Sequence, residues 1–541
     1  MCYFLRIYAK TAVSVSKLLK NRSYSERKVF MKAYTPENMR MADSFAIEKL
    51  GIPGITLMDR AADALYNALS EYLFKNRRFV ILCGKGNNGG DGWALAKKLS
   101  DSFEKVVCIS LFGKPVTSDA QHFCGMCESP INSASAIKII HCQESFAEAE
   151  EAVSSADVIV DAVFGTGFSG EIEKDSFTSR LFELANDKDA FRLSADVPSG
   201  IDALLGTASE STFKADVTVT FAKLKAGMLS YPANSYCGKI IVADIGIPES
   251  VFDSFNSQYE VTDDTLIREY IPKRYADSNK GSYGKLLVFA GSKNMTGAAH
   301  LALSGALRTG VGLVAFASDP YVTDVTKHRL SEPVFMPISD LDDDTDALIE
   351  YCKNCSAVLI GCGIGTNENT KKRVIRMIKE CSCPIILDAD GINTVSDNIN
   401  VITEAKSEIL LTPHPLEFSR ISGKSVSDIS KNRLGVALEF SKKYNCCLLL
   451  KGAGTVICNK GEKVCINPIS CSALSKGGSG DVLAGIIASF TAQGASLYES
   501  AVIGAYLHAI AGKELSKEYS EYGVMPSDIP EKVARILAVL L

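Results

Sequence analysis

The sequence predicts two α/β domains in tandem, each built around a mainly parallel sheet. Short apolar runs rich in β-branched residues alternate with longer helical patterns from about Phe79 onward, and the runs end at Gly, Pro or Asp. This alternation is typical of βα units around a buried parallel sheet. It stops over residues 246–282, a polar stretch punctuated by Pro and Gly. A chain of 541 residues is also too long for one ordinary core, so we place a domain boundary near residues 250–270.

The predicted strands fall into two series, one on each side of this boundary. The first series is FVILC, VVCISLF, DVIVDAVF, FRLSADV, DVTVTFA and KIIVADI. The second is KLLVFAG, VGLVAFA, AVLIGCG, PIILDAD, ILLTPHP, CCLLLKG, TVICN and KVCIN. The last two runs, with Gly461 in the turn between them, predict an antiparallel hairpin at the edge of the second sheet.

Composition excludes several classes of function. The net charge is −5 and the chain has no basic stripe, which argues against nucleic acid as a partner. No apolar run approaches the roughly 18 residues needed to cross a bilayer, so we expect no membrane insertion. The 17 cysteines are scattered and lack partner pairs at zinc-ribbon spacing, so we interpret them as reduced thiols and expect a cytoplasmic protein.

The first thirty residues differ from the rest. They are basic and contain several serines, as organellar transit peptides do, while Met31 begins an ordinary helical pattern. We expect residues 1–30 to lie outside the domains, as a targeting segment or as a non-native extension before a true start at Met31. The second interpretation is preferred.

The first glycine-rich loop follows the first predicted strand. In FVILCGKGNNGGDGWALAKKL, Gly84, Gly86 and Gly89 satisfy the G-x-G-x-x-G pattern of dinucleotide sites. The next strand ends in Leu-Phe-Gly-Lys, with no acid to hold ribose hydroxyls, which disfavours hydride transfer. Asn87, Asn88 and Asp91 crowd one turn, although a phosphate cradle alone needs only backbone groups.

Two later strands of the first series bring acids to the same sheet edge. Asp161 begins DAVFGTGFSG and Asp196 begins DVPSG, and ligands bind at the carboxyl edge of such sheets. Oxygen atoms of Asn88, Asp161 and Ser199 converging there could hold a hard cation. One acid would then remain free to move a proton.

The motifs GNNGGDG, DAVFGTG and SADVPSG, in this order, resemble the NAD(P)H-hydrate epimerase domain, a Rossmann-like three-layer sandwich, over residues 31–250. The resemblance implies a potassium ion held by Asn88, Asp161 and Ser199, and Asp196 as the catalytic residue at C6 of the hydrated nicotinamide. TLMDRAA departs from the family pattern, with Arg60 where Asn is usual. The implied substrate-binding residues are Asn87, Asn88, Gly89, Gly90, Asp91, Gly165, Thr166, Gly167, Phe168, Ser169, Gly170, Glu171 and Asp196.

The most informative motif of the second half is Gly477–Asp481, followed directly by the apolar run VLAGIIASF. A glycine turn that opens a helix presents backbone N–H groups to an anion, and Asp481 places a carboxylate beside them. A second phosphate-type loop, Lys451–Thr455, precedes it, while Asp388, Asp390 and His414 end or follow predicted strands. Phosphoryl transfer needs such N–H groups and a carboxylate near the attacked hydroxyl, so Asp481 is the candidate base.

The runs KGSYGKLLVFAGS, LDADGIN, LTPHPLEF, LKGAGTVI and KGGSGDVLAG resemble the ribokinase-like fold, and within it the ADP-dependent NAD(P)H-hydrate dehydratase, over residues 265–541. The resemblance implies Mg²⁺ with ADP and Asp481 as the catalytic base. Cys362 stands where the family often has Pro, and Cys471-Ser472 where Gly-Asn is usual. The implied hydrate contacts are Ala298, Gly363, Gly365, His414 and Asp481, and the implied nucleotide contacts are Lys451, Gly452, Ala453, Gly454, Thr455 and Gly480.

Together the two resemblances imply a bifunctional repair enzyme with small-molecule substrates, and we expect a homo-oligomer. One domain would interconvert the R and S epimers of NADHX and NADPHX. The other would dehydrate the S epimer with ADP, giving NAD(P)H, AMP and phosphate. Two alternatives stay open at this point: a ribokinase-like kinase of a vitamin-precursor alcohol fused to a nucleotide-binding domain, and a non-catalytic nucleotide-binding scaffold.

Overall fold

The computed structural model describes residues 31–70, 77–103, 105–129, 137–255, 257–339 and 344–541. The extension expected at residues 1–30 lies outside the described residues. Within them, no helix is both long enough and apolar enough to cross a membrane.

The first half alternates strands and helices as predicted. Its strands are β1 (Lys32–Tyr34), β2 (Phe79–Cys83), β3 (Val106–Ser110), β4 (Lys138–His141), β5 (Val158–Ala162), β6 (Phe191–Ala195), β7 (Val217–Phe221), β8 (Leu224–Lys225), β9 (Lys239–Ala243) and β10 (Tyr259–Val261). Its helices are α1 (Pro36–Glu48), α2 (Gly54–Ala68), α3 (Asn87–Ser100), α4 (Ser118–Glu128), α5 (Phe146–Ser154), α6 (Phe177–Asp187), α7 (Glu249–Asp253) and α8 (Asp264–Tyr270).

The second half has the same alternation. Its strands are β11 (Lys285–Phe289), β12 (Leu313–Ser318), β13 (Val334–Pro337), β14 (Ala357–Ile360), β15 (Ile385–Leu387), β16 (Ile409–Leu411), β17 (Cys447–Leu450), β18 (Thr455–Asn459) and β19 (Lys463–Asn467). Its helices are α9 (Thr296–Arg308), α10 (Pro320–Lys327), α11 (Thr345–Cys352), α12 (Glu368–Glu380), α13 (Asp390–Asn393), α14 (Pro415–Ser422), α15 (Val426–Lys431), α16 (Arg433–Lys443), α17 (Ser479–Ala492), α18 (Leu497–Gly523) and α19 (Ile529–Leu540).

The α/β prediction is confirmed, because both sheets are mainly parallel and covered on both faces. The first sheet has seven parallel strands in the order β4-β3-β2-β5-β6-β7-β9. All five residues of β2 are buried. Ile81 packs into one apolar core and Leu82 into another on the opposite face. A strand reads as a continuous apolar run when both of its faces are buried in this way.

The second sheet has twelve strands in the order β13-β12-β11-β14-β15-β16-β17-β18-β19-β10-β1-β8. The predicted hairpin is present as β18 and β19, which pair antiparallel. Its predicted position at the sheet edge is wrong, because β19 pairs with β10, β10 with β1, and β1 with β8. These three strands contain two or three residues each, which is too short to show a period in the sequence.

This arrangement joins the two halves of the chain. Strands β1 and β8 belong to the predicted first domain, yet they extend the sheet of the second. The helical pattern expected from Met31 starts only at Pro36, because the preceding residues form β1 and Thr35 caps the helix with its side chain. The two halves therefore share backbone hydrogen bonds next to the first predicted site, since β8 ends at Lys225.

Candidate active sites

The first site is a cavity of about 710 Å³ at the carboxyl edge of the first sheet. Helices α1 and α2, the turn from β2 to α3, and the loop after β5 form its walls. Most of the predicted substrate-binding residues lie in this wall. Those that line the cavity are Asn87, Asn88, Asp91, Gly165, Thr166, Gly167, Phe168, Ser169 and Asp196, and those that do not are Gly89, Gly90, Gly170 and Glu171.

The glycines of the β2–α3 turn let the helix start close to the sheet. A Cβ on Gly89 would lie 2.0 Å from the carbonyl oxygen of Gly84, and one on Gly90 would lie 2.7 Å from Sδ of Met58. Gly86 is the N-cap of α3 and offers no side-chain hydrogen bond to the first turn. The N–H groups at this helix start therefore stay available to an anion such as a phosphate.

Asp196 follows β6 and is held by a buried lysine. Its Oδ1 accepts hydrogen bonds from the backbone N–H of Phe221 at 3.1 Å, from Oγ1 of Thr220 at 3.3 Å and from Nζ of Lys225. Lys225 is 1% exposed and also donates to Oγ1 of Thr220 at 2.8 Å and to the carbonyl of Phe221 at 3.0 Å. This pairing fixes the direction of the carboxylate, whose backbone has a left-handed φ of 65°.

Two of the other carboxyl groups that line the cavity, those of Asp43 and Asp91, are close enough to Asp196 for its charge to affect their pKa. Asp43 lies on α1 and its side chain is exposed at the mouth of the cavity; the protein around it and then the charge of Asp196 raise its pKa to about 6, against the opposing effect of Lys225. Burial raises the pKa of Asp91 well above its ordinary value, and Asp196 and Asp43 add to the effect. The cavity thus holds carboxyl groups in different protonation states near neutral pH.

Sequence reasoning missed Asp43 and Lys225 as site residues. A signal existed for Asp43, since it lies one helical turn from the buried residues Met39 and Ala46. Lys225 stands in the run Leu-Lys-Ala-Gly-Met-Leu, where a charge is unexpected. A charged residue at an apolar position of a pattern is the feature that would have identified Lys225.

The predicted cation site is built from oxygen atoms that the structure brings together. Asp161 is fully buried and accepts from the N–H of Ser199 at 2.8 Å, from its Oγ at 2.6 Å, and from the N–H of Val163 at 3.2 Å. Burial raises its pKa to about 6, although these hydrogen bonds oppose the rise. Ser199 in turn accepts from the N–H of Phe164 at 2.7 Å.

Asn88, the third residue predicted to hold the cation, lies beside the loop that follows Asp161. Its side chain lies 3.4 Å from the position that a Cβ on Gly165 would take, next to Phe164 in the chain. Both amide atoms of Asn88 are buried without a hydrogen-bond partner among the described residues. The unused amide oxygen of Asn88, the carboxylate of Asp161 and the hydroxyl of Ser199 are oxygen ligands of the kind that a hard cation such as potassium accepts.

The second site lies where α17 begins. Gly478, at φ 101°, is the N-cap, and Asp481 lies in the first turn. Burial and then the charge of Asp388 raise the pKa of Asp481 to about 7, opposed by a hydrogen bond with Cys362 and by Lys451. Ligand atoms of Cys362, Asp388 and Asp481 all lie within 4.8 Å of one another. The two carboxylates fit magnesium, which prefers oxygen ligands, whereas the Cys362 thiol does not.

Both predicted phosphate loops meet at Lys451. Its Nζ donates to Oδ1 of Asp388 at 2.7 Å, which also accepts from Oγ1 of Thr412 at 2.7 Å. Burial lowers the pKa of Lys451, but the carboxylates of Asp388 and Glu417 outweigh it and the net pKa is raised. A Cβ on Gly480 would lie 3.2 Å from the same Nζ. The ammonium group of Lys451 and the glycine-rich start of α17 therefore lie next to each other, where both could contact the same phosphate.

The loop Lys451–Thr455 is shaped by a buried arginine that sequence reasoning missed. Arg433 is 6% exposed and donates to the carbonyl oxygens of Lys451 and Ala453. Gly452 has a φ of 145°, which strains any residue with a side chain, and a Cβ there would lie 2.2 Å from Nη2 of Arg433. Gly454 faces the first half of the chain, where its Cβ would lie 3.1 Å from the carbonyl oxygen of Leu229.

The predicted hydrate-binding residues lie on two sides of this site. A Cβ on Gly363 would lie 2.9 Å from the Cβ of Ala298, so these two residues are in contact range. The N–H of Gly365 donates to Oδ2 of Asp390 at 2.9 Å. His414 is the N-cap of α14, where its Nδ1 accepts from the N–H of Glu417 at 3.2 Å. Its ring is about half exposed, and its Nε2 lies 3.3 Å from Oε1 of Glu417.

Comparisons with known proteins cover both sites. A family model described as YjeF-related protein N-terminus matches residues 54–227, and one described as NAD(P)H-hydrate dehydratase matches residues 286–535. The bifunctional NAD(P)H-hydrate repair enzyme Nnr of Moorella thermoacetica is 31% identical over 514 residues, covering 93% of this chain and 96% of the relative. The protein of the same name from Dictyoglomus turgidum is 32% identical over 511 residues, covering 92% and 97%.

The chain belongs to the family of bifunctional NAD(P)H-hydrate repair enzymes. Both resemblances drawn from the sequence motifs are thereby confirmed. Among solved structures, an ADP/ATP-dependent NAD(P)H-hydrate dehydratase of Bacillus subtilis, co-crystallised with ATP and Mg²⁺, is 27% identical and covers 52% of this chain and 98% of its own, with a TM-score of 0.45.

The residues that depart from the family pattern have defined contacts in the structure. Cys362 is fully buried, and its Sγ lies 3.7 Å from Oδ2 of Asp388 and beside Asp481, so the substituted position contacts the carboxylates of the second site. Ser472 donates to Oε2 of Glu521 and starts a short 3-10 turn before the glycine loop. Arg60 donates to the carbonyl oxygen of Ile245 at 3.2 Å, which assigns it a packing contact next to the first cavity.

Proposed function

We propose that the first cavity interconverts the R and S epimers of NADHX and NADPHX, and that the second site dehydrates the S epimer with ADP, giving NAD(P)H, AMP and phosphate. One observation carries this proposal: each half places a glycine-rich helix start, suited to phosphates, beside a carboxyl group suited to proton transfer. A scaffold has no physical need for either carboxyl.

In the first site, the N-terminus of α3 would bind the nucleotide phosphates, and the loop Gly165–Ser169 would cover the substrate. Inversion at C6 requires a bond to the hydroxyl-bearing carbon to break and to form again on the other face. Asp196 would exchange a proton with the C6 hydroxyl, while Lys225 holds its carboxylate in place. Asn88, Asp161 and Ser199 would hold potassium, which would offset nearby negative charge.

In the second site, Asp481 would take the proton of the C6 hydroxyl as that oxygen attacks the terminal phosphate of ADP, and AMP would leave. Release of phosphate from C6 and of a proton from C5 then restores the C5–C6 double bond of the reduced nicotinamide. Lys451 and the N–H groups at the start of α17 would bind the phosphates. Asp388 would hold magnesium, which would neutralise phosphate charge.

The kinase alternative differs in the fate of the phosphate. A kinase leaves the phosphoryl group on its product, whereas the proposed dehydratase releases phosphate and NAD(P)H. The test supplies the S epimer with ADP and measures AMP, phosphate and reduced-nicotinamide absorbance together. We expect the three to rise in equal amounts. AMP formation with a stable phosphorylated product and no gain in absorbance would contradict the proposal.

ADP as the donor in preference to ATP, the homo-oligomer and the cytoplasmic location stay predictions. The cysteines of the described part of the chain are all free, and this supports a reducing compartment. Parallel assays with ADP and ATP test the donor, and size-exclusion chromatography with light scattering tests the oligomer.

A further inference from the structure

Asp43 lines the first cavity and has no role in the reaction steps described above. Asp43 is placed there by a helix whose start is firmly held. Thr35 and Asn38 form a reciprocal capping box, with hydrogen bonds of 3.1 and 3.2 Å. Met39 and Ala46 are buried on either side of Asp43 along the helix. The helix therefore presents Asp43 to the cavity from a fixed wall.

The strand before this helix ties Asp43 to the partner of Asp196. Strand β1 leads directly into α1 and pairs parallel with β8, so that Tyr34 lies opposite Lys225. Lys225 holds Asp196 on the other wall of the cavity. One pair of short strands thus sets the positions of both carboxyl groups relative to each other.

We propose that Asp43 is a second catalytic residue of the epimerase site and exchanges a proton with the C6 oxygen on the ring face opposite Asp196. This inference rests on the proposed epimerase function. An epimerase must serve both faces of one carbon, because the hydroxyl leaves from one face and returns on the other. A single carboxyl on one wall cannot reach both faces of a bound ring.

The proposed step balances without a co-reactant. Protonated Asp43 gives its proton to the C6 hydroxyl, the C6–O bond breaks with its electron pair on oxygen, and water forms. The ring nitrogen lone pair becomes a double bond to C6. Water then adds to the other face, and the carboxylate of Asp196 takes its proton. Transfer of one proton from Asp196 back to Asp43 through water restores the starting state, and the reverse direction exchanges the two roles.

Asp43 suits this role better than Asp91 does. A group that must gain and lose a proton in each turnover works best when its pKa lies near the working pH. The pKa of Asp43 is about 6, whereas burial holds Asp91 protonated well above that range. Asp91 also lines the cavity, but it is 9% exposed at the start of α3, whereas Asp43 is exposed. The other charged groups that line the cavity are Arg40, Lys85, Asp119, Asp196 and Lys225.

The test compares Asp43→Asn with Glu48→Gln in the full-length protein. Both substitutions remove a carboxylate from α1, but Glu48 is exposed and does not line the cavity. We expect Asp43→Asn to slow R-to-S interconversion about a hundredfold or more, which is the usual effect of losing a general acid or base. Dehydration of the S epimer with ADP should be unchanged in both variants, which shows that the protein is folded. Glu48→Gln should retain both activities.

A pH profile and a conservative variant separate chemistry from structure. In the wild type, kcat/KM for interconversion should fall as pH rises above about 6, because Asp43 loses the proton it donates. This fall in kcat/KM should be absent in Asp43→Asn. Asp43→Glu, which restores a carboxyl group, should recover part of the wild-type rate of interconversion. Interconversion by Asp43→Asn within threefold of the wild type would overturn the assignment. A wild type that does not interconvert the epimers would overturn the epimerase proposal itself.

Discussion

Asp481→Asn is the substitution that tests the second site most sharply. The variant keeps the size and shape of the side chain but removes the carboxylate that takes the proton of the C6 hydroxyl. Loss of a positioned base costs about a hundredfold in rate, which corresponds to about 2.7 kcal/mol on the barrier. We expect dehydration to fall by at least this factor, with epimerisation unchanged, because Asp481 lies on α17 and the other reaction uses a separate cavity.

The pH dependence of the wild type follows from the same carboxyl. Burial and the charge of Asp388 raise the pKa of Asp481 to about 7. Only the ionised form accepts a proton, and about a tenth is ionised one pH unit below the pKa and about nine tenths one unit above. The value of kcat/KM for the S epimer reports the free protein, so it should rise about tenfold from pH 6 to pH 8.

Stability supplies the control for this variant. Folding raises the pKa of Asp481 above its ordinary value. The contribution of such a group to the free energy of unfolding is fully present below the ordinary pKa and is lost as pH rises through the raised pKa. Asparagine carries no such loss, so the thermal midpoint of Asp481→Asn at pH 8 should not lie below that of the wild type. Asp397→Asn, at an exposed acid paired with Lys371, is the matched substitution and should leave dehydration unchanged. Near-normal dehydration by Asp481→Asn, or a flat pH profile in the wild type, would refute the reasoning.

Four other predictions concern separate parts of the molecule. Asp196→Ala should abolish enzymatic R-to-S interconversion while the S epimer is still consumed with ADP, and continued fast loss of both epimers would contradict the role of Asp196. Potassium should support interconversion better than sodium, and Asn88→Ala should remove the difference; equal rates in matched buffers, unaffected by the substitution, would remove the ion from the account. Lys451→Met should lower the thermal midpoint, since loss of one partner of a buried ion pair costs about 3–5 kcal/mol, and should raise the KM for ADP; unchanged values would show that the pair with Asp388 is dispensable. A chain that starts at Met31 should keep both activities, whereas one that starts at Pro36 lacks β1 and should lose epimerisation first; equal activity of the two chains would show that β1 does not position the site.

Most of the described strands and both glycine loops were predictable because their signals are local, whereas β1, β4, β8, β10 and β13 were not predicted. Each predicted apolar run contains a strand, since burial on both faces demands continuous apolar residues such as those of β2. The start of α17 was recognisable from Gly477–Asp481 because the glycines and the acid are adjacent in the chain. Local chemistry of this kind needs no knowledge of the tertiary fold.

The contacts that complete the sites were not predictable because they are long-range. Lys225 pairs with Asp196 across 29 positions of sequence, and Arg433 holds a carbonyl oxygen 18 positions away. The misplaced hairpin has the same origin, since β10, β1 and β8 are too short to show a pattern and are brought to β19 only by the fold. Gly89 and Gly90 have a packing reason in the structure, and their substrate contacts stay a prediction.

The central claim is that one chain returns both epimers of the damaged nucleotide to the reduced cofactor. The most direct measurement gives the protein an equal mixture of R and S hydrate with excess ADP and follows the absorbance of the reduced nicotinamide to its end point. The account predicts recovery of all the hydrate by the wild type, and of only the S half at enzymatic speed by Asp196→Ala. Recovery of half by the wild type, or of none, would contradict it.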